Sequence, residues 1–243
     1  MAHKPVALVT GSSSGIGAAI ARRLSAEGMT VVVNGSRDVE AGEMLAAELP
    51  NACYIRADIA DPAQVRALFK QVEEDHGALE LLVNNAGVTR AIPHADLEGV
   101  TDDVWRAILN VNVIGTWQTT VAAMPLLRRS GVGHVVNVSS VAGVRPAGSS
   151  IPYAVSKSAI NHMTRLLAAA VGPDVRVNAV APGLIDTPWT ETFTEVRERV
   201  RTTTPLRRTG TPDDVANLVL GLHRAAYTTG EVVLTDGGAH LLI

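Results

Sequence analysis

Two groups of residues in this chain could do chemistry. Tyr153 and Lys157 stand four apart in "YAVSK", a spacing that puts both on one face of a helix. A free phenol has a pKa of about 10, too high to work well near neutrality. A nearby ammonium favours the phenolate and draws that value down. Lys157 is one of three lysines, with Lys4 and Lys70, in a chain that otherwise uses arginine for positive charge. A compact ammonium that biases a phenol is not replaced by a guanidinium fork.

The second group is "TGSSSGIG", residues 10–17. Gly11-Ser12-Ser13-Ser14-Gly15 fits G-x-S-x-G, the elbow that presents a hydrolase serine. The same stretch fits a glycine turn that brings backbone up to a phosphate. The elbow needs an earlier strand for its oxyanion loop, then an acid and a histidine. Only one apolar run precedes Ser13, and His240 lies three residues from the C-terminus. The phosphate cradle is the better reading, although Gly-x-x-x-Gly-x-Gly is not the common Gly-x-Gly-x-x-Gly fingerprint.

The elements that must position these groups follow from hydrophobic period. Short, valine-rich runs predict strands at 6–10, 30–34, 53–57, 79–84, 134–138, 175–181 and 232–234. Helical period predicts helices at 16–27, 39–49, 62–76, 101–129, 151–171 and 212–223, with a shorter helical excursion at 187–201. Pro62 suits a first turn, residues 101–103 form a capping region, and Pro125 kinks or loosens the last turn of the long helix. Strands and helices alternate without a hairpin signal, and the strands are nearly all apolar. That pattern predicts a doubly wound parallel α/β sheet in one domain. The turn after its first strand sits where ligands bind such sheets.

The totals exclude other classes. The chain has 243 residues, 47% of them hydrophobic and 19% charged, with a net charge of −3, so neither a nucleic acid nor a membrane is an expected partner. Cys53 is the only cysteine, which points to a reducing cytoplasm; it reads as a small strand hydrophobe. The N-terminal apolar run stops at Thr10, too short for a signal-peptide core. The seven histidines are scattered without metal-ligand spacing, so no metal site is expected. His94, His134 and His162 read as structural or solvated residues.

Tyr153-x-x-x-Lys157 alone is a weak signal. In the same chain and in order stand Thr10-Gly-x-x-x-Gly-x-Gly17, Asn84-Asn-Ala-Gly87, Asn112, Ser140, Pro182-Gly183, the stretch 205–212 and Asp236-Gly-Gly238. This set resembles the short-chain dehydrogenase/reductase family in its roughly 250-residue form, over essentially the whole chain. The resemblance implies a Rossmann-type domain with a seven-stranded sheet in the order 3-2-1-4-5-6-7. It also implies hydride transfer between a nicotinamide cofactor and a ketone or secondary alcohol. Tyr153 would be the acid or base, Lys157 would tune it and hold the nicotinamide ribose, and Ser140 would polarise the carbonyl. Asn112, at a helix irregularity, would hold a relay water; asparagine is a poor helix former. Ser139 reads as a strand-end structural hydroxyl.

For the cofactor, Gly11, Ser13, Ser14, Gly15, Ile16 and Gly17 would cradle phosphates. Asp58 and Ile59 would contact adenine, and Asn85, Ala86 and Gly87 the adenosine side. Pro182, Gly183, Ile185 and Thr187 would border the nicotinamide. The second strand ends "VVVNGSRD", without the carboxylate that binds a ribose 2′-OH and repels a 2′-phosphate. Ser36 and Arg37 suit a phosphate, so NADP(H) is the expected cofactor and NAD(H) the alternative; Ser12, Ser13 and Ser14 add no positive charge. Asp38 reads as a helix cap.

The small-molecule substrate would meet a lid at 185–205 carrying Trp189 and Phe193, and a facing wall at 141–152 with Arg145. "NNAGVTR" resembles 3-oxoacyl-(acyl carrier protein) reductases, whereas "AGVRPAGSSIPYAVSK" suits polyol, sugar and secondary-alcohol dehydrogenases equally. A non-catalytic cofactor sensor on the same fold is the remote alternative. Arg128-Arg129 could meet an acidic carrier protein or simply end a helix. The family resemblance implies a homotetramer pairing helices 101–129 and 151–171, and the apolar "AHLLI" tail reads as a further interface.

Overall fold

A strand covered on both faces is mostly apolar, and the central strands of the seven-stranded parallel sheet found among the described residues follow that rule, whereas the edge strands are only partly buried. The computed structural model describes residues 4–242. The strands are β1 (Val6–Val9), β2 (Thr30–Gly35), β3 (Ala52–Arg56), β4 (Leu81–Asn84), β5 (His134–Val138), β6 (Arg176–Pro182) and β7 (Val232–Thr235). Their order is β3-β2-β1-β4-β5-β6-β7, and every pairing is parallel.

The helices are α1 (Gly15–Ala26), α2 (Val39–Glu48), α3 (Pro62–His76), α4 (Asp102–Leu109), α5 (Thr116–Ser130), α6 (Ile151–Val171), α7 (Thr194–Thr203) and α8 (Pro212–Arg224). Alternate strand residues serve two cores. Ala7, Val9, Val31, Val33 and Val83 pack with Ile20 and Leu24 of α1 and Val215 and Val219 of α8. Leu8, Val32, Leu82 and Val135 face the other way, onto Leu68 and Phe69 of α3 and Leu127 of α5. Strand order reverses beside β1, so the loops after β1 and β4 lie at the switch point where ligands bind. No helix among the described residues is long and apolar enough to cross a membrane.

The structure refines three elements. The predicted helix 101–129 carries the irregularity expected at Asn112, a π-helical segment, Asn110–Gly115. The Asn112 side chain bonds the Val88 backbone in both directions, and Thr116 Oγ1 donates to the Asn112 carbonyl at 2.8 Å. Pro125 lies inside α5, which continues past it to Ser130. The excursion at 187–201 is two pieces, a 3₁₀ turn (Pro188–Thr190) and α7. Asp61 caps α3 ahead of Pro62 through the N–H groups of Ala63 and Gln64.

Candidate active site

The glycine loop is shaped by the loop after β4. Gly11 has φ +60°, and a Cβ there would lie 2.8 Å from the Ala86 Cα. A Cβ on Gly17 would meet the Gly11 carbonyl at 2.5 Å, so only backbone can line this turn. Thr10 Oγ1 accepts from the N–H of Asn85 and of Ala86, and Asn85 Nδ2 donates to the carbonyls of Thr10 and Gly11 at 2.9 and 2.8 Å. Ser12 is buried and structural, donating to the Val9 carbonyl. The Ser13 hydroxyl is buried without a hydrogen-bond partner, so the hydrolase reading lacks its general base. The His240 ring is engaged with Asp236 at 2.9 Å.

At the other end of the site, Ser150 caps α6 and places Tyr153 in its first turn with Lys157 one turn later. Lys157 is buried, and its Nζ donates to the Val138 carbonyl at 2.8 Å. The ammonium lies 5.7 Å from the Tyr153 ring centroid. Burial lowers its pKa from 10.5 to about 8. Burial raises the Tyr153 phenol, and a hydrogen bond with Ser140 opposes that rise. This corrects the expectation that Lys157 draws the phenol down. With protein groups alone, the ammonium is turned toward a strand carbonyl and desolvation dominates. Ser140 Oγ also accepts from the Ala142 N–H. Ser139 is structural, as expected, bonding the Lys157 carbonyl and Asn161.

A cavity of about 1160 Å³ joins these two ends. Along it lie Gly11, Ser13, Ser14, Gly15, Ile16 and Gly17; Ser36 and Arg37; Asp58 and Ile59; Asn85, Ala86 and Gly87; Pro182, Gly183, Ile185 and Thr187; and Ser140, Tyr153 and Lys157. Arg145, Trp189 and Phe193 line it as well. Asn112 does not. It is buried behind the cavity, its side chain committed to Val88 and Ser156. It still faces Lys157 across Gly87, where a Cβ would be 3.4 Å from Asn112 Oδ1 and 3.7 Å from Lys157 Nζ. The Trp189 ring stands edge-on to Tyr153, centroids 6.3 Å apart.

These features fit a dinucleotide. The N-terminus of α1 has no acidic residue in its first turn, and its Ser14 cap makes no side-chain bond, which leaves N–H groups and a positive dipole end for an anion. The unpartnered Ser13 hydroxyl is one more donor beside it. Asp38 is occupied as the α2 cap, accepting from the Ala41 N–H at 3.1 Å.

Some participants have no local sequence signal. Val88, Val111, Arg199, Val200, Ala239 and Leu242 all line the cavity. The apolar tail, read as an interface, folds back here: Arg145 donates to the His240 carbonyl, and the Asp236 carboxylate accepts from the His240 N–H at 2.7 Å. Asn84 is not on the cavity but in a buried ladder behind it, donating to Thr120 and to Asn137, which donates to Thr164. Arg128 and Arg129 close the end of α5 through Asp174 and Glu73, next to the start of β5 and at the end of the sheet opposite the cavity. His134 is buried, stacked on His223, and burial holds its pKa well below 6.5. Among the described residues no group of side chains could hold a metal.

A family model described as enoyl-(acyl carrier protein) reductase matches residues 11–240. A protein of Streptomyces violaceoruber named granaticin polyketide synthase putative ketoacyl reductase 2 is 67% identical over 241 residues, 98% of this chain and 97% of that protein. The 3-oxoacyl-[acyl-carrier-protein] reductase FabG of Thermotoga maritima is 37% identical over 242 residues, 96% of each chain. The crystal structure of a gluconate 5-dehydrogenase from Burkholderia cenocepacia J2315, in complex with NADP and tartrate, superposes with a TM-score of 0.90 at 28% identity, covering 98% of this chain and 96% of that one. With these relatives and this arrangement of motifs, the chain is an NAD(P)-dependent oxidoreductase interconverting a ketone and a secondary alcohol, and it belongs to the short-chain dehydrogenase/reductase family.

Proposed function

We propose that this chain is an NADPH-dependent reductase of β-ketoacyl thioesters. The observation that carries this reading is the placing of Ser140, Tyr153 and, one helical turn on, Lys157 along the same cavity that holds the glycine loop. The ketoacyl reductase names of the relatives supply the substrate class.

A bound nicotinamide supplies the hydride. The chain's residues do the rest. Ser140 and Tyr153 donate hydrogen bonds to the substrate oxygen, and Tyr153 hands over its proton as charge develops there. Lys157, with a pKa near 8, is close to working pH and can resupply a proton. Asn112 holds the π-helical segment against Val88 and so keeps the back of the site open to a relay. Trp189, Phe193 and the neighbouring lid residues exclude water from the reacting carbon.

For the cofactor, Ser36 and Arg37 stand on the cavity wall at the end of β2, and the nearest acid, Asp38, is committed to its cap. This favours a 2′-phosphate over a free 2′-OH. The whole chain, 1–243, acts as one dehydrogenase domain with a lid at about 185–205. It works in the cytoplasm as a homotetramer. The support for the tetramer is the exposure of large apolar side chains on the expected pairing helices, Ile114, Trp117 and Val121 on one and Val155 and Leu166 on the other.

The test is oxidation of NADPH and of NADH with a β-ketoacyl thioester, a cyclic ketone, a sugar and a steroid. The thioester with NADPH should have a kcat/KM at least about tenfold above every other combination, or about 1.4 kcal/mol. Equal or better turnover of the sugar or steroid, or a preference for NADH, would overturn the assignment.

A further inference from the structure

The cavity carries a second chemistry away from Tyr153. Its outer wall comes from the loop after β5, the lid helix α7 and the C-terminal turn. Val196, Arg199, Val200 and Thr203 all line it from α7. Their spacing of i, i+3, i+4 and i+7 is one face of a helix. An arginine therefore stands within the stripe that α7 turns to the cavity, between two valines, while Glu195, Glu198 and Arg201 lie off that face.

Arg199 has no counter-ion. Among the described residues its guanidinium makes no hydrogen bond or ion pair. Its neighbour Arg197 is paired with Asp186 at 3.1 Å, and Arg208 with Asp214. Across the cavity, Arg145 donates to the His240 carbonyl and likewise meets no carboxylate. Among the described lining residues the only acids are Asp38 and Asp58, near Arg37 at the cofactor end. The substrate end thus combines apolar surface from Trp189, Phe193 and Leu242 with two guanidinium groups and no negative charge. A guanidinium is weakly hydrated, and its planar fork matches carboxylate and phosphate oxygens.

We propose that Arg199, assisted by Arg145, binds an anionic group of the substrate remote from the ketone. The substrates are then apolar ketones with a negatively charged end, either a carboxylate on the carbon skeleton or the phosphate of a carrier arm. The proposal rests on the reductase reading and adds the group that selects among ketones.

Two substrate pairs test it: a β-ketoacyl pantetheine against its 4′-phosphate, and a cyclic ketone against the same ketone bearing a carboxylate. In wild type the anionic member of at least one pair should have the higher kcat/KM, by about tenfold and through KM. That preference should shrink with added salt, fall about tenfold in Arg199→Gln and survive in part in Arg199→Lys, which keeps the charge and loses the fork. The pair that shows it identifies the source of the charge. Binding of the corresponding alcohols, read from tryptophan fluorescence, measures the same preference without turnover. No preference in either pair, or one that Arg199→Gln leaves intact, overturns the proposal even if ketones are reduced. An Arg199-dependent preference in binding, with no ketone reduced, sustains the anion site and sinks the reductase reading.

Discussion

Lys157 Nζ donates to the Val138 carbonyl at 2.8 Å and stands 5.7 Å from the centroid of the Tyr153 ring. The ammonium is thus anchored to the sheet and buried beside the phenol. Its folded pKa of about 8 lies below the ordinary 10.5. Between those values the unfolded chain binds the proton and the folded chain does not, so folding is favoured as pH rises through the window. Below about pH 8 the cost of burying the charge is fully present. Wild type should therefore gain stability relative to Lys157→Met between pH 8 and 10.5. Urea unfolding of both proteins across that range checks this; parallel profiles would remove the buried charge from the account.

Tyr153→Phe removes the phenol proton and leaves the cofactor end of the cavity intact. Cofactor affinity should stay within about threefold of wild type, and kcat should fall by more than about tenfold, or 1.4 kcal/mol of barrier. Ser13→Ala should be mild by comparison. Abolished turnover in Ser13→Ala at normal cofactor affinity would restore the nucleophile reading of the glycine loop.

Arg37 is an exposed cavity residue two positions past β2. Arg37→Ala should lower kcat/KM for NADPH by about ten- to hundredfold, the loss of one charge-assisted contact, with little change for NADH. The converse change belongs at Ser36 rather than Gly35. A Cβ on Gly35 would lie 2.5 Å from Ser13 Oγ, so an aspartate there would disturb the glycine loop as well as add charge. Ser36→Asp should move preference toward NADH. Equal weakening of both cofactors by Arg37→Ala would refute the phosphate contact.

Trp117 is 47% exposed on the same side of the molecule's helical layer as Val121 at 51%, a pair of large apolar side chains expected in an interface. Light scattering of wild type should give four times the mass of one chain, and Trp117→Glu should lower it. A monomeric wild type would show that these faces meet no second copy.

Much of the fold was readable locally. Valine-rich runs separated by amphipathic segments require a parallel sheet covered on both faces, and the ordered motifs from Thr10 to Asp236 mark its ligand edge. Tyr153 and Lys157 could be placed together because a helical turn joins residues four apart. Asp38 could be read as a cap because capping is a contact over three residues.

What the tertiary structure alone decided arises between residues distant in sequence. Asn112 is hidden behind the site because Val88 and Ser156 claim its side chain. The Tyr153 phenol is raised rather than lowered because desolvation depends on everything packed around it. Arg145 meets the His240 carbonyl, 95 residues away, and so the tail becomes a cavity wall. Arg199 acquires meaning only because that one face of α7 lines the cavity. Periodicity and capping are local and can be read along the chain; burial, counter-ions and cavity walls are made by chain closure, and only the folded protein sets them.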